Sequence, residues 1–103
     1  MINIVHTNIH LDDDRKITAI EVKLKSKNGL SGHPLIATIS AAFFQTTLLY
    51  DSGNALQIVP NPERKNIVNI IVTLKETEKS LSFNDVANYL DALQKALDTT
   101  SIF

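Results

Sequence analysis

Apolar and polar residues alternate with period two over residues 2–11, with Val5, Thr7, Ile9 and Leu11 on one side and His6, Asn8 and His10 on the other. That is the pattern of a half-buried strand. Asp12-Asp13-Asp14-Arg15 is a polar turn, and residues 17–26 alternate again with Ile20, Val22 and Leu24 inward and Glu21, Lys23 and Lys25 outward. The short connection predicts an antiparallel hairpin. Asn28-Gly29-Leu30-Ser31-Gly32 reads as a loop. His33-Pro34 then opens a helix to about Tyr50, because proline near the first helical position loses an N–H that has no partner there anyway.

The second half repeats this plan. Leu56–Val59 is a short strand, Pro60–Lys65 a turn, and residues 67–75 a strand with Val68, Ile70, Val72 and Leu74 on one face. Ser82 with Asp85 three residues on makes a capping box. Phe83, Val86, Leu90, Leu93 and Leu97 follow on one helical stripe.

The two halves also match residue by residue. With a shift of 50, Lys16–Lys25 lies over Asn66–Lys75 with five of ten positions identical. Asp14-Arg15-Lys16 matches Glu63-Arg64-Lys65, Ile2-Asn3-Ile4-Val5 resembles Leu56-Gln57-Ile58-Val59, and Leu30-Ser31 matches Leu81-Ser82. The expected architecture is an α+β, two-layer ββαββα sandwich: a single domain over residues 1–103, with pseudo-twofold repeats 1–53 and 54–103. Moving the first strand to the end turns ββαββα into βαββαβ, so a circularly permuted ferredoxin-like fold is expected.

The helices differ in pattern. The second has a polar face of Asn84, Asp85, Asn88, Asp91, Lys95 and Asp98. In the first, Leu35, Ile36, Ile39, Ala42, Phe43, Phe44, Leu48, Leu49 and Tyr50 spread around the cylinder. A helix apolar all round must be covered all round. In the last strand, Ile67 and Ile71 add apolar side chains on the face opposite Val68 and Ile70. Ile36, Phe43, Phe44, Tyr50, Ile67 and Ile71 are therefore the candidate partner-binding residues, and a homo-oligomer is the expected assembly, since symmetric pairs are the commonest.

Composition narrows the chemistry. Net charge is −1, which argues against a general nucleic-acid binder. All six Phe and Tyr residues fall on helices or at the C-terminus, which leaves no base-stacking sheet surface. There is no Cys, hence no disulfide, thiolate metal site or thiol nucleophile. The first residues lack a basic leader, which with the missing Cys suits the cytoplasm. The uncharged stretch Pro34–Tyr50 reads as a buried helix rather than a membrane span.

Candidate sites are few. His6 and His10 share a strand face, but side chains four apart on a strand lie about 13 Å from each other, too far for one metal ion. Asp12-Asp13-Asp14 lacks the Gly and distal Glu of a calcium loop. Asn28, Gly29, Ser31, Gly32 and His33 form the one candidate ligand loop, where backbone N–H groups at a helix start can approach a phosphate. No metal or cofactor is expected, and no catalytic constellation is visible. The sequence alone therefore points to a non-catalytic protein–protein interaction module working through its first helix: a homodimer, adaptor, inhibitor or complex subunit. A small phosphorylated-ligand or nucleotide-binding domain using Asn28–His33 is the alternative.

Overall fold

The computed structural model describes residues 2–27, 30–44, 55–74 and 82–100. Within them the order is β1 (Ile2–Leu11), β2 (Ile17–Ser26), α1 (Gly32–Phe44), β3 (Ala55–Pro60), β4 (Ile67–Thr73) and α2 (Phe83–Thr100). The strands form one antiparallel sheet in the order β1-β2-β4-β3. That is the order of a ferredoxin-like sandwich whose last strand has moved to the front of the chain. Ile20, Val22, Leu24, Val68, Ile70 and Val72 line one sheet face and share a single core with Leu35, Ile39, Phe43, Val86, Leu93 and Leu97 of the two helices.

The central pairing joins the two segments that match at a shift of 50. Ile20 pairs with Val72, Val22 with Ile70, and Glu21 with Ile71. Glu21 and Ile71 are equivalent positions at a shift of 50, so the β2–β4 register is symmetric about that pair. The outer strands follow a different registration from the one expected. Thr7 pairs with Val22 and Ile9 with Ile20, while Leu56 pairs with Val72 and Ile58 with Ile70. Leu56 and Ile58 are thus the counterparts of Thr7 and Ile9, rather than of Ile2 and Ile4. The turns agree with this shift: Asp12 Oδ1 accepts from the Asp14 and Lys16 N–H groups at 2.9 and 2.8 Å, and Asn61 Oδ1 from those of Glu63 and Arg64 at 2.9 and 3.0 Å. A short polar side chain that bonds the backbone two to four residues on shapes both hairpin tips.

A bulge explains why the β1 pattern misleads. The register slips between Ile4 and His6, leaving Val5 as the extra residue, 51% exposed. An extra residue re-aims everything beyond it. Ile2 and Ile4 therefore share the core side with Thr7 and Ile9, and Val5, expected inward, faces out.

The helix ends follow local chemistry. The Ser82 N–H donates to Asp85 Oδ2 at 3.0 Å and the Asp85 N–H to Ser82 Oγ at 3.1 Å, closing the expected capping box. The Ser82 backbone and then its hydroxyl hold the Asp85 carboxyl below its ordinary pKa. Helix α1 starts at Gly32 with a φ of 59°, a left-handed conformation that suits glycine. Its loop is tied down from below. Buried Ser26 donates its hydroxyl to the Leu30 carbonyl, the Ser26 N–H donates to the Asn66 carbonyl at 2.9 Å, and Asn66 Nδ2 donates back to the Ser26 carbonyl at 3.3 Å.

Candidate functional site

The residues expected to meet a partner do not form one open surface. Phe43 is 0% exposed and packs against Tyr89, ring centroids 6.4 Å apart. Ile67 is 7% exposed, and Ile36 and Ile71 are half-buried. The side chain of Phe44 and all of Tyr50 lie outside the described residues. The premise of a helix without a solvent face is corrected as well. Leu35, Ile39, Ala42 and Phe43 turn into the core, while His33, Ala37 and Ala41 face out. Alanine carries so little surface that it counts as apolar in a pattern yet sits readily at an exposed helix position. Thr38 and Ser40 donate their hydroxyls to the Pro34 and Ile36 carbonyls at 2.9 and 2.8 Å, which satisfies them within the helix.

In the candidate ligand loop, Asn28 and Gly29 lie outside the described residues. Ser31 is half-buried, and Gly32 and His33 are exposed. The Gly32 N–H points to the Lys65 carbonyl at 3.5 Å, so this amide belongs to the tie between the loop and the β3–β4 turn.

The outer sheet face carries His6, Asn8 and His10 from β1 and Glu21, Lys23 and Lys25 from β2. His10 Nε2 lies 3.4 Å from Glu21 Oε2, the one acid–base pair on this face among the described residues. Hydroxyls are engaged elsewhere: Thr18 donates to the His10 carbonyl at 3.2 Å and Thr99 to the Lys95 carbonyl at 2.9 Å.

The edges of the sheet are where the two outer strands part company. β3 is six residues long and ends in Pro60, which has no N–H to offer. β1 is ten residues long and contains no Pro, Lys, Arg, Asp or Glu. Its first half is already covered. The Gln94 side-chain amide accepts from the Ile4 N–H at 3.0 Å and donates to the Ile2 carbonyl at 3.0 Å. This amide takes the place of a peptide group in a neighbouring strand. It is held in turn by Asp98 Oδ1, 3.1 Å from Gln94 Nε2.

Past the bulge, His10 turns its carbonyl toward β2, where the Thr18 side-chain hydroxyl binds it, and Asp12 turns its N–H toward the Lys16 carbonyl at 2.9 Å. Thr7, Ile9 and Leu11 then point their backbone groups away from the sheet. Leu11 is 46% exposed. Native sheets usually blunt such an edge with charge, proline or cover. The segment Thr7–Leu11 has none of the three among the described residues, and it is the feature that sequence reasoning missed. The lack of charge along Ile2–Leu11 was the available signal, but the strand order is what makes β1 an edge.

No family model matches this chain, and no curated protein matches it. A solved structure similar to it is the crystal structure of an essential ribosomal processing protease, Prp, from S. aureus in complex with a covalently linked product peptide. The two are 17% identical, with 99% of this chain and 93% of that chain covered and a TM-score of 0.43. At that level no activity passes from one chain to the other. The reading as a non-catalytic module working through its first helix is nevertheless corrected. Its structural premise fails, because Phe43 is buried in the chain's own core and Ala37 and Ala41 give the helix a solvent face. Among the described residues no helix is long and apolar enough to cross a membrane.

Proposed function

We propose that this chain takes up an extended peptide segment as an added strand along the Thr7–Leu11 edge of β1. The observation that carries the reading is the contrast within one strand. Gln94 covers Ile2 and Ile4, and among the described residues the edge beyond the Val5 bulge is open and uncharged. Strand addition draws affinity from main-chain hydrogen bonds and specificity from alternate side chains. Each such bond contributes about 0.5–1.5 kcal/mol net. A segment this short therefore binds weakly unless side chains add to it. Ile9 and Leu11 offer apolar surface on one side of the added strand, and His6, Asn8 and His10 offer polar groups on the other.

The test pans a phage-displayed library of random nonapeptides against the full chain and follows enriched peptides by amide hydrogen exchange. Protection at Thr7, Ile9 and Leu11 is expected, with binding lost when alternate peptide amides are N-methylated in one phase only. Enriched peptides that leave these three amides unprotected would overturn the reading, as would a library without enrichment.

A further inference from the structure

We infer that the strand filling this edge is β1 of a second copy, antiparallel about a twofold axis at Ile9, so that two four-stranded sheets become one. The inference rests on the proposed strand addition and names its occupant.

The register follows from which groups are free. Thr7, Ile9 and Leu11 direct their backbone outward, and Gln94 occupies Ile2 and Ile4. An axis at Thr7 would pair Leu11 with Asn3 and drive the incoming strand into the Gln94 amide. An axis at Ile9 pairs Thr7 with Leu11 and Ile9 with Ile9, using only the open segment.

In that register the side chains complement one another. Ile9 meets Ile9, and exposed Leu11 lies against Thr7 on the core side. On the outer side Asn8 stands opposite His10; with His10 Nε2 turned to Glu21 at 3.4 Å, Nδ1 is left to accept from the Asn8 amide. His6 stands opposite Asp12, whose Oδ1 shapes its own turn and whose Oδ2 takes no hydrogen bond among the described residues. An imidazole N–H opposite a carboxylate is a favourable cross-strand pair. The axis also keeps like charges apart. Asp12, Asp13 and Asp14 of the two copies lie at opposite ends of the joined strands, and the nearest like pair, the two Asp12 side chains, is about 20 Å apart at the usual rise per residue. No charged side chain faces its like across the new pairing.

The absence of native Cys makes the test clean. Full-length Asn8→Cys and His10→Cys chains are mixed and oxidised gently. Positions 8 and 10 would form a pair without mutual hydrogen bonds, with Cα atoms about 4.5 Å apart, within disulfide reach. The mixed 8–10 disulfide is expected to exceed the statistical share by about tenfold, since like positions lie two residues out of register. Sedimentation of the native chain is expected to show a concentration-dependent dimer. His6→Glu, which sets a carboxylate opposite Asp12, is expected to weaken it by about tenfold. Thr7→Pro removes an outward N–H without touching the pairing with β2, and is expected to weaken it further.

Statistical mixing of disulfides, or a dimer indifferent to both variants, overturns the second-copy inference. A monomer that protects Thr7, Ile9 and Leu11 on binding a panned peptide overturns it too, while leaving strand addition in place. A monomer whose edge takes neither copy nor peptide overturns both.

Discussion

Gln94 is the side chain whose replacement tests the edge most directly. Its amide makes two hydrogen bonds to β1, with Ile4 N and Ile2 O, each 3.0 Å long and part-buried. Gln94→Met keeps the length and apolar stem of the side chain and removes both bonds. At about 0.5–1.5 kcal/mol net per bond the cost is about 1–3 kcal/mol. Water can reach an edge strand and re-solvate the freed groups, so the lower half of that range is expected. In a domain of this size each kcal/mol lowers Tm by about 4–8 °C.

Gln94→Glu separates the two bonds. One carboxylate oxygen still accepts from Ile4, but the other now faces the Ile2 carbonyl and Asp98 Oδ1 where an N–H stood. It should cost at least as much as the Met variant at neutral pH, although it retains an acceptor. Urea denaturation followed by circular dichroism measures both, and hydrogen exchange at Ile4 reports the clamp itself. Removing the clamp also opens β1 from Ile2 onward, so light scattering should rise with concentration in the Met variant. If Gln94→Glu is as stable as the native chain and the Ile4 amide exchanges no faster in either variant, the clamp does not hold the edge and the boundary drawn at Val5 is wrong.

Two further outcomes follow from the core and the second helix. Phe43→Ala empties a fully buried site and should cost about 3–5 kcal/mol, whereas Ala41→Glu on the exposed side of α1 should stay within about 0.5 kcal/mol; the same denaturation series measures both, and a severe effect at Ala41 with a mild one at Phe43 would restore a partner on that helix. Asp85 has a depressed pKa in the folded chain, so its stabilisation is complete above the ordinary aspartate range and is lost as pH falls through the depressed value. Asp85→Asn should therefore lower stability at neutral pH and narrow its gap to the native chain in acid, and a gap independent of pH would refute the capping role.

Much of the architecture was legible from residue order. Period-two alternation placed the hairpins, and Ser82 and Asp85 placed the start of α2, whereas it was the structure that showed the two strands matching at a shift of 50 to pair at the centre of the sheet. These signals are local: a pleat, a cap or a turn depends on a few neighbouring residues, and the chain carries them in order. The β1 reading failed at Val5 and held for Thr7, Ile9, His6, Asn8 and His10, because a bulge is one uncounted residue and nothing in Ile2–Leu11 states that Val5 lies outside the count. The α1 reading failed for a related reason. Hydrophobic pattern records that Ala37, Ala41 and Phe43 are apolar but not how much surface each must hide, and packing against Tyr89 chose Phe43.

The candidate site was the least legible part. Composition could show that β1 carries no charge, yet whether a strand is central or at an edge depends on which strands pair, and that is decided by contacts between residues far apart in the chain. The Gln94 bonds to Ile2 and Ile4 span about ninety residues. From the sequence alone came the strands, the turns and the likeness of the halves. Only the tertiary structure decided that β1 lies at the rim, that Gln94 closes one end of it, and that no other described residue covers Thr7–Leu11.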